Sequence, residues 1–275
     1  MGVWIMAGVT FREAARKKIL WMAAAAGAGF LLLFGVGLHY QVRDLAVRTN
    51  PLVRRQILYG AMMVGLYAAD ALAVVMAALT SVDTLSGEIA SGAIQAIVTK
   101  PVDRWQIILG KWIGFAAMMT LYVFFIMGGV IAVSNFVAHV SPNHLLRGVA
   151  LVVMECLLLL CVSFLCGVRL ATLTNGVIVL GLHGIAFVGG WIEQIAVATH
   201  SPRAVMVGEM ASLIMPSETL WRRAAFEMQS ALMRATDFSP FSTASVPSGA
   251  MIGYASVYAA LALALAVRAF SKRDL

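Results

Sequence analysis

The sequence predicts an all-α membrane protein with six transmembrane helices, and its composition and its apolar runs both indicate this. Of the 275 residues, 61% are hydrophobic and only 12% are charged, and the mean hydropathy is +0.89. Soluble domains carry about 25% charged residues, so a water-soluble fold of this size could not bury so much apolar surface. Six apolar runs also reach the length of about 20 residues that a membrane-spanning helix needs. Lipid offers the backbone no hydrogen-bond partners, so we expect each run to be helical.

The predicted spans belong to one membrane domain that covers residues 1–275. Asp70 interrupts the second span, Glu155 the fourth and His183 the fifth, and the third span carries no charge. We expect the spans at residues 19–42, 57–82, 112–138, 148–168, 170–192 and 249–267.

A short basic helix is expected to precede the first span. Thr10-Phe11-Arg12-Glu13 is a capping-box pattern, in which the threonine hydroxyl and the glutamate carboxylate bind each other's backbone N–H groups. The predicted amphipathic helix therefore starts at Thr10 and lies along the membrane surface. The alternative is that the basic residues here are a simple positive anchor.

The distribution of Lys and Arg favours cytoplasmic N- and C-termini. With the N-terminus inside, eleven basic residues fall on the inner side and nine on the outer side, and all five lysines fall inside. The positive-inside rule then favours a multi-pass chain with both termini in the cytoplasm. We expect this chain in a cell inner (plasma) membrane.

The stretch between the second and third spans, SGEIASGAIQAIVTKPVDRWQIILGK, is unusually polar for this chain. Asp83 can cap a helix that runs to about Thr99. Gly87 and Gly92 in that helix suggest close approach by another backbone, because each glycine costs about 1 kcal/mol relative to alanine. Pro101 then breaks the helix before a second helix enters the third span. We call residues 83–111 the elbow; they either connect two spans or dock a soluble partner.

The segment between the fifth and sixth spans, residues 198–248, is predicted to form one or two interfacial or re-entrant helices. Four prolines punctuate it, and Pro216-Ser217-Glu218 is typical of a helix start with an acidic first turn. Its apolar stripe, opposite Arg222, Arg223 and Glu227, consists of Leu220, Trp221, Ala224, Ala225, Met228 and Leu232.

The elbow carries a resemblance to a known family. Glu88 and Gly92, followed by Pro101, Arg104 and Gly110-Lys111, resemble the cytoplasmic signature of ABC type-2 permeases, the membrane subunits of ATP-driven exporters. The opening TFREAARKKILW and the closing AFSKRDL are similar to the ends of such permeases. Within the family, the chain looks closest to the branch that includes the membrane subunit of the nitrous-oxide-reductase maturation transporter.

The resemblance implies partners and a division of labour. Two permease chains, a homodimer in the simplest case, would each dock one ABC ATPase subunit, and the two ATPases would bind ATP and Mg. The coupling helix after the second span would place Glu88, Gly87 and Gly92 at the docking surface. Pro101, Arg104 and Lys111 would shape the elbow and hold it near the lipid headgroups. Membrane lipid is an expected partner and nucleic acid is not.

The chain is not expected to be an enzyme or to hold a cofactor of its own. Gly110-Lys111 is the only Gly-Lys pair, and Trp105 and Trp112 stand where a phosphate-binding loop needs glycine and Ser/Thr. No metal site is expected either. Cys156, Cys161 and Cys166 are five residues apart, which turns each about 140° from the one before on a helix.

Asp70, His183 and Glu155 are the ionisable groups at membrane depth, and we predict that they line the translocation path. Alternatively, they are neutral, hydrogen-bonded groups that fix helix packing. Two other functions would use the same residues: an ion-coupled secondary transporter, or an intramembrane enzyme with His183 and Glu155 as acid and base. The sequence shows no inverted repeat that would favour the former.

Overall fold

The structure is a computed structural model that describes residues 2–16, 18–48, 50–90, 103–230 and 245–272. Over these residues the chain is helical and contains no strand, which confirms the predicted all-α class. Nine helices cover the described residues: α1 (Gly2–Arg16), α2 (Lys18–Arg48), α3 (Pro51–Ala90), α4 (Arg104–Ala138), α5 (Leu145–Gly167), α6 (Thr172–Ala198), α7 (Pro202–Ile214), α8 (Ser217–Met228) and α9 (Gly249–Ser271).

Six of the described helices are long and apolar enough to cross a membrane, which confirms the predicted number of spans. The largest difference is in the third, which begins eight residues before the predicted start because the second helix of the elbow continues into it without a break. The candidate spans are Leu20–Ala46, Pro51–Thr80, Arg104–Ala138, Leu145–Gly167, Thr172–Ala198 and Gly249–Ser271.

The predicted helix start at Asp83 is wrong. Helix α3 runs unbroken from Pro51 to Ala90, so Asp83 lies inside it and the second span leads directly into the first part of the elbow. The apolar run ends near residue 82, but no proline or turn interrupts the backbone there, so the helix continues past it. Gly92 and Pro101 lie outside the described residues.

The predicted capping box at Thr10 is also wrong, because α1 already begins at Gly2. Thr10 lies in mid-helix, where its backbone N–H needs no cap, and it is buried against α4. Two glycines of α4 allow this contact. A Cβ atom on Gly110 would lie 2.5 Å from Met6 Cβ, and one on Gly114 would lie 2.9 Å from the Ala7 carbonyl oxygen. Helix α1 is therefore packed tightly against the start of the third span.

Helices α3, α4 and α5 form the centre of the bundle. Their facing side chains, such as Leu66, Ile126 and Leu158, are fully buried. Helix α2 lies outside them and exposes large apolar residues such as Leu33. Exposed apolar side chains of this kind suit a helix that spans a membrane, and α2 is one of the six candidate spans. With lipid on the outside, close packing rather than exclusion of water holds such helices together.

Helix α7 folds back antiparallel along α6 after a three-residue turn. His200 in that turn has a positive φ of 54°, and the Ser201 N–H donates to the Ala196 carbonyl oxygen at 2.9 Å. The two helices are in very close contact. A Cβ atom on Gly208 would lie 2.5 Å from Glu193 Cβ, and one on Gly189 would collide with Ala211.

Helix α8 reverses direction again and returns between α5 and α6. It begins at Ser217, directly after Pro216, which confirms the predicted helix start. It ends beside the beginning of α5, where the Asn143 N–H donates to the Met228 carbonyl oxygen at 3.2 Å. Ten of its twelve residues are buried, so α8 does not lie on the surface. Helices α7 and α8 thus form a re-entrant hairpin, with its tip at residues 214–218.

Candidate functional site

Three polar residues of the spans come together in the middle of the bundle. Asp70 lies on α3, Glu155 on α5 and His183 on α6. Glu155 is ten residues from one end of α5 and twelve from the other, which at 1.5 Å per residue is about 15 and 18 Å. It therefore lies near the midplane of a hydrocarbon layer about 30 Å thick.

The tip of the re-entrant hairpin completes this group, which we call the midplane cluster: Asp70, Glu155, His183, Ser217 and Glu218. His183 Nδ1 shares a hydrogen bond with Ser217 Oγ at 3.0 Å and lies 3.9 Å from Glu155 Oε1. Because His183 stands near the middle of α6, this bond fixes the depth of the tip. The first three members stand out in the sequence as ionisable residues of apolar runs, whereas Ser217 and Glu218, on α8, do not.

The cluster brings three buried carboxyl groups into one site. Asp70 and Glu155 interact electrostatically with each other, and Glu218 interacts with both. Glu155 is fully buried, and neither of its carboxyl oxygens receives a hydrogen bond of ordinary geometry from the described residues. Mutual repulsion in such a site is relieved when the carboxyls hold protons or when a positively charged group lies between them.

Glu218 lies on the hairpin, outside the six candidate spans. Burial raises the pKa of its carboxyl well above the usual range; the nearby Asp70 raises it further, and Arg222 lowers it. A raised pKa means that the carboxyl holds its proton to a higher pH than an exposed glutamate does, and a protonated carboxyl can donate a hydrogen bond. Among the described residues, no group of three or more His, Cys, Asp or Glu side chains is arranged to hold a metal ion.

Aromatic residues cover the cluster on its side toward the end of α6. The Trp191 indole N–H donates to the Tyr67 hydroxyl at 3.3 Å, and the Tyr67 ring meets the Trp221 ring edge-on at 5.4 Å between centroids. These rings join α3, α6 and α8. Tyr67 is three residues before Asp70, and the helical spacing puts both on the same face of α3.

A buried ion pair holds the hairpin closed against α6. Arg222 Nη2 donates to Glu193 Oε2 at 2.9 Å and to Ser212 Oγ at 3.4 Å, and the Ser245 hydroxyl donates to the other oxygen of Glu193. Arg222 is 2% exposed and Glu193 is 6% exposed. Removal of one partner from a charge pair buried this deeply strongly destabilises a protein, because it leaves the other charge buried and uncompensated. Separation of α8 from α6 would break this pair, so the pair holds the two helices together.

The residues predicted to dock an ATPase lie only partly within the described chain. Gly87 is half-buried near the end of α3, and the backbone of Glu88 continues the same helix. Arg104 begins α4 and donates from Nη1 to the Ser271 carbonyl oxygen at 3.3 Å, which ties the elbow to the end of α9. Lys111 differs from expectation, because its side chain is only 1% exposed and cannot reach lipid headgroups.

The whole sequence from residue 4 to residue 275 matches the family described as ABC-2 family transporter protein. The chain belongs to this family. It is therefore a membrane permease of an ABC transporter, and the family implies an ABC ATPase partner. No individual curated protein matches the chain. The nitrous-oxide-reductase branch stays a prediction, since the match is to the ABC-2 family as a whole.

Proposed function

We propose that this ABC-2 permease is the membrane half of an exporter that moves its cargo with the energy of ATP hydrolysis in a separate ATPase subunit. Two permease chains and two ATPases would form the working complex in a cell inner membrane, with both permease termini in the cytoplasm. The elbow would receive the motion of the ATPase, and Glu88, Gly87 and Gly92 would form its docking surface.

The continuity of α3 is the observation that carries this proposal. Gly87, at the elbow, and Asp70, in the midplane cluster, lie on one unbroken helix. They are seventeen residues apart, or about 26 Å. A displacement of the elbow would therefore be transmitted along α3 to Asp70, at the middle of the helix. Helix α4 offers a second such connection, because it begins at Arg104 and runs uninterrupted to Ala138.

The midplane cluster is the proposed lining of the translocation path. Polar groups are costly at this depth, and here Asp70, Glu155 and His183 are joined by Ser217 and Glu218 from the hairpin. Three carboxyls close together favour a cargo that offers a positive charge or hydrogen-bond donors. In this proposal the elbow transmits the motion of the ATPase, and the cluster provides the polar surface past which the cargo moves.

Ion-coupled transport is the second candidate. The re-entrant hairpin breaks the helical layer at the midplane and puts titratable groups there, as discontinuous helices do in secondary transporters. Such a carrier would pass protons through the cluster without ATP.

Affinity purification of the full chain from membranes of its own cell tests the first proposal. We expect an ATPase subunit to co-purify and ATP hydrolysis to follow it. Glu88→Lys should reduce both, because it reverses the charge at the proposed docking surface. Arg43→Glu is the matched control, since it reverses an exposed charge at the opposite end of the bundle, and it should change neither.

The same preparation separates the two candidates after reconstitution into vesicles that contain a pH-sensitive dye. Proton entry that is driven by a membrane potential, needs no ATP and is abolished by Asp70→Asn would favour the ion-coupled carrier. Absence of any bound ATPase would contradict the exporter.

A further inference from the structure

A basic cavity lies at the elbow end of the bundle, far from the midplane cluster. Its volume is about 820 Å³, and it opens between the end of α5, the start of α6 and the last turns of α9. Leu165 and Leu265 form part of its apolar wall, and three cationic side chains surround it: Arg169, Arg268 and Lys272.

The charged side chains that line this cavity are all basic in the part of the chain that the structure describes. No Asp or Glu is among the described residues that line it. All three basic residues are exposed, so their charged groups are free to meet a ligand. In addition, α6 starts just after Leu170, and its N-cap residue, Ala171, has no side-chain oxygen to bind the first N–H groups. Those N–H groups add partial positive charge on the same side.

Along α9 the wall of the cavity changes from apolar to basic, in the same order as a phospholipid changes from acyl chain to headgroup. Leu261, Leu265, Arg268 and Lys272 recur every three or four residues and therefore share one face of the helix. Leu261 and Leu265 are 58% and 52% exposed, and they lie nearer the bilayer centre. Arg268 and Lys272 follow one and two turns closer to the membrane surface.

We propose that this cavity binds the headgroup of an anionic phospholipid, with the phosphate between Arg169, Arg268 and Lys272 and one acyl chain along Leu261 and Leu265. Basic pockets between membrane helices at the cytoplasmic surface bind such headgroups. A soluble phosphate would contact only the cations, whereas a phospholipid would contact both the cations and the apolar face of α9.

The bound lipid would also stabilise a contact between the elbow and α9. Lys272 directly follows Ser271, whose carbonyl oxygen accepts the hydrogen bond from Arg104 at the start of α4. A headgroup that holds the last turn of α9 therefore stabilises one side of that contact. This inference does not depend on the proposed function, because lipid binding is measured without cargo or ATPase.

Native mass spectrometry of the full-length protein tests the proposal. The protein is equilibrated in mixed micelles with equal amounts of phosphatidylglycerol and phosphatidylcholine, and the lipid that it retains is identified. We expect a clear preference for phosphatidylglycerol. The double variant Arg268→Gln/Lys272→Gln should lower that preference about twenty- to thirtyfold, as expected for the loss of two basic contacts.

The matched control is Arg43→Gln/Arg203→Gln, which removes the same net charge from exposed positions elsewhere and should keep the preference. An equal loss in both double variants would overturn the proposal, since net charge alone would then explain the effect. Addition of inorganic phosphate gives a second check. If phosphate alone raises the melting temperature as much as phosphatidylglycerol does, the site binds free phosphate and the lipid assignment is wrong.

Discussion

Replacement of Gly208 by alanine tests how the re-entrant hairpin is held in place. Gly208 is on α7, where it faces α6. An added Cβ atom would lie 2.5 Å from Glu193 Cβ and 2.7 Å from the Gly189 carbonyl oxygen. Neither atom belongs to the far end of a flexible side chain. The two helices must therefore move apart.

The size of the effect follows from those distances. Carbon atoms in contact are about 3.5–4.0 Å apart, so α7 has to withdraw by about 1 Å. Overpacking of this kind costs about 1–3 kcal/mol. Alanine is about 1 kcal/mol better than glycine in a helix, which offsets part of that cost. Gly37→Ala on α2 isolates the packing effect, because a Cβ atom there meets nothing within 4 Å.

Thermal unfolding of the purified variants in one detergent measures the difference. We expect Gly208→Ala to be about 1–3 kcal/mol less stable than Gly37→Ala. Withdrawal of α7 should also weaken the hydrogen bond between His183 and Ser217, which is 3.0 Å long in the structure. If the two alanine variants melt at the same temperature, α7 does not contact α6 as closely as described, and the position of the tip loses its support.

Three further predictions concern other contacts of the bundle. Gly114→Val should release α1 from α4 and increase hydrogen exchange in α1, whereas Gly8→Ala, which meets nothing within 4 Å, should not. Arg222→Gln should lower the stability to thermal unfolding by about 3–5 kcal/mol by leaving Glu193 buried and unpaired, and the added change Glu193→Gln should restore much of it. Because the pKa of Glu218 is raised, its contribution to stability is present at acidic pH and lost as pH rises. The wild-type melting temperature should therefore fall more steeply than that of Glu218→Gln as the pH rises above the ordinary glutamate pKa of 4.5.

The number and approximate position of the spans could be predicted because they depend only on local composition. A run of apolar residues in lipid must be helical, whatever lies next to it. The helix ends could not be predicted equally well. Thr10 and Asp83 both have the side chains of a helix cap, yet both lie inside helices, because a suitable side chain does not break a helix that neighbouring residues already favour.

The midplane cluster was only partly predictable for a different reason. Asp70, Glu155 and His183 stood out as ionisable residues in apolar runs. Ser217 and Glu218 did not stand out, because Pro216 before them indicates where a helix starts but not how deep in the membrane that start lies. Depth comes from the antiparallel packing of α7 on α6, which Gly189 and Gly208 permit. Small residues in a sequence indicate that a close contact is possible, but they do not identify the helix that makes it.

The cluster and the re-entrant hairpin depend on each other physically. A hairpin tip at the midplane leaves the last C=O groups of α7 and the first N–H groups of α8 without helical partners, and lipid cannot supply any. A side chain meets part of this need, since the Tyr254 hydroxyl of α9 donates to the Leu213 carbonyl oxygen in the last turn of α7 at 2.6 Å. The bond between His183 and Ser217 joins two side chains and anchors the tip to α6. In return, the N-terminal end of α8 brings partial positive charge to a site with three carboxyls. The polar groups that stabilise the tip therefore also place a polar surface at the midplane, and a polar surface at that depth is what the proposed transport role of the cluster requires.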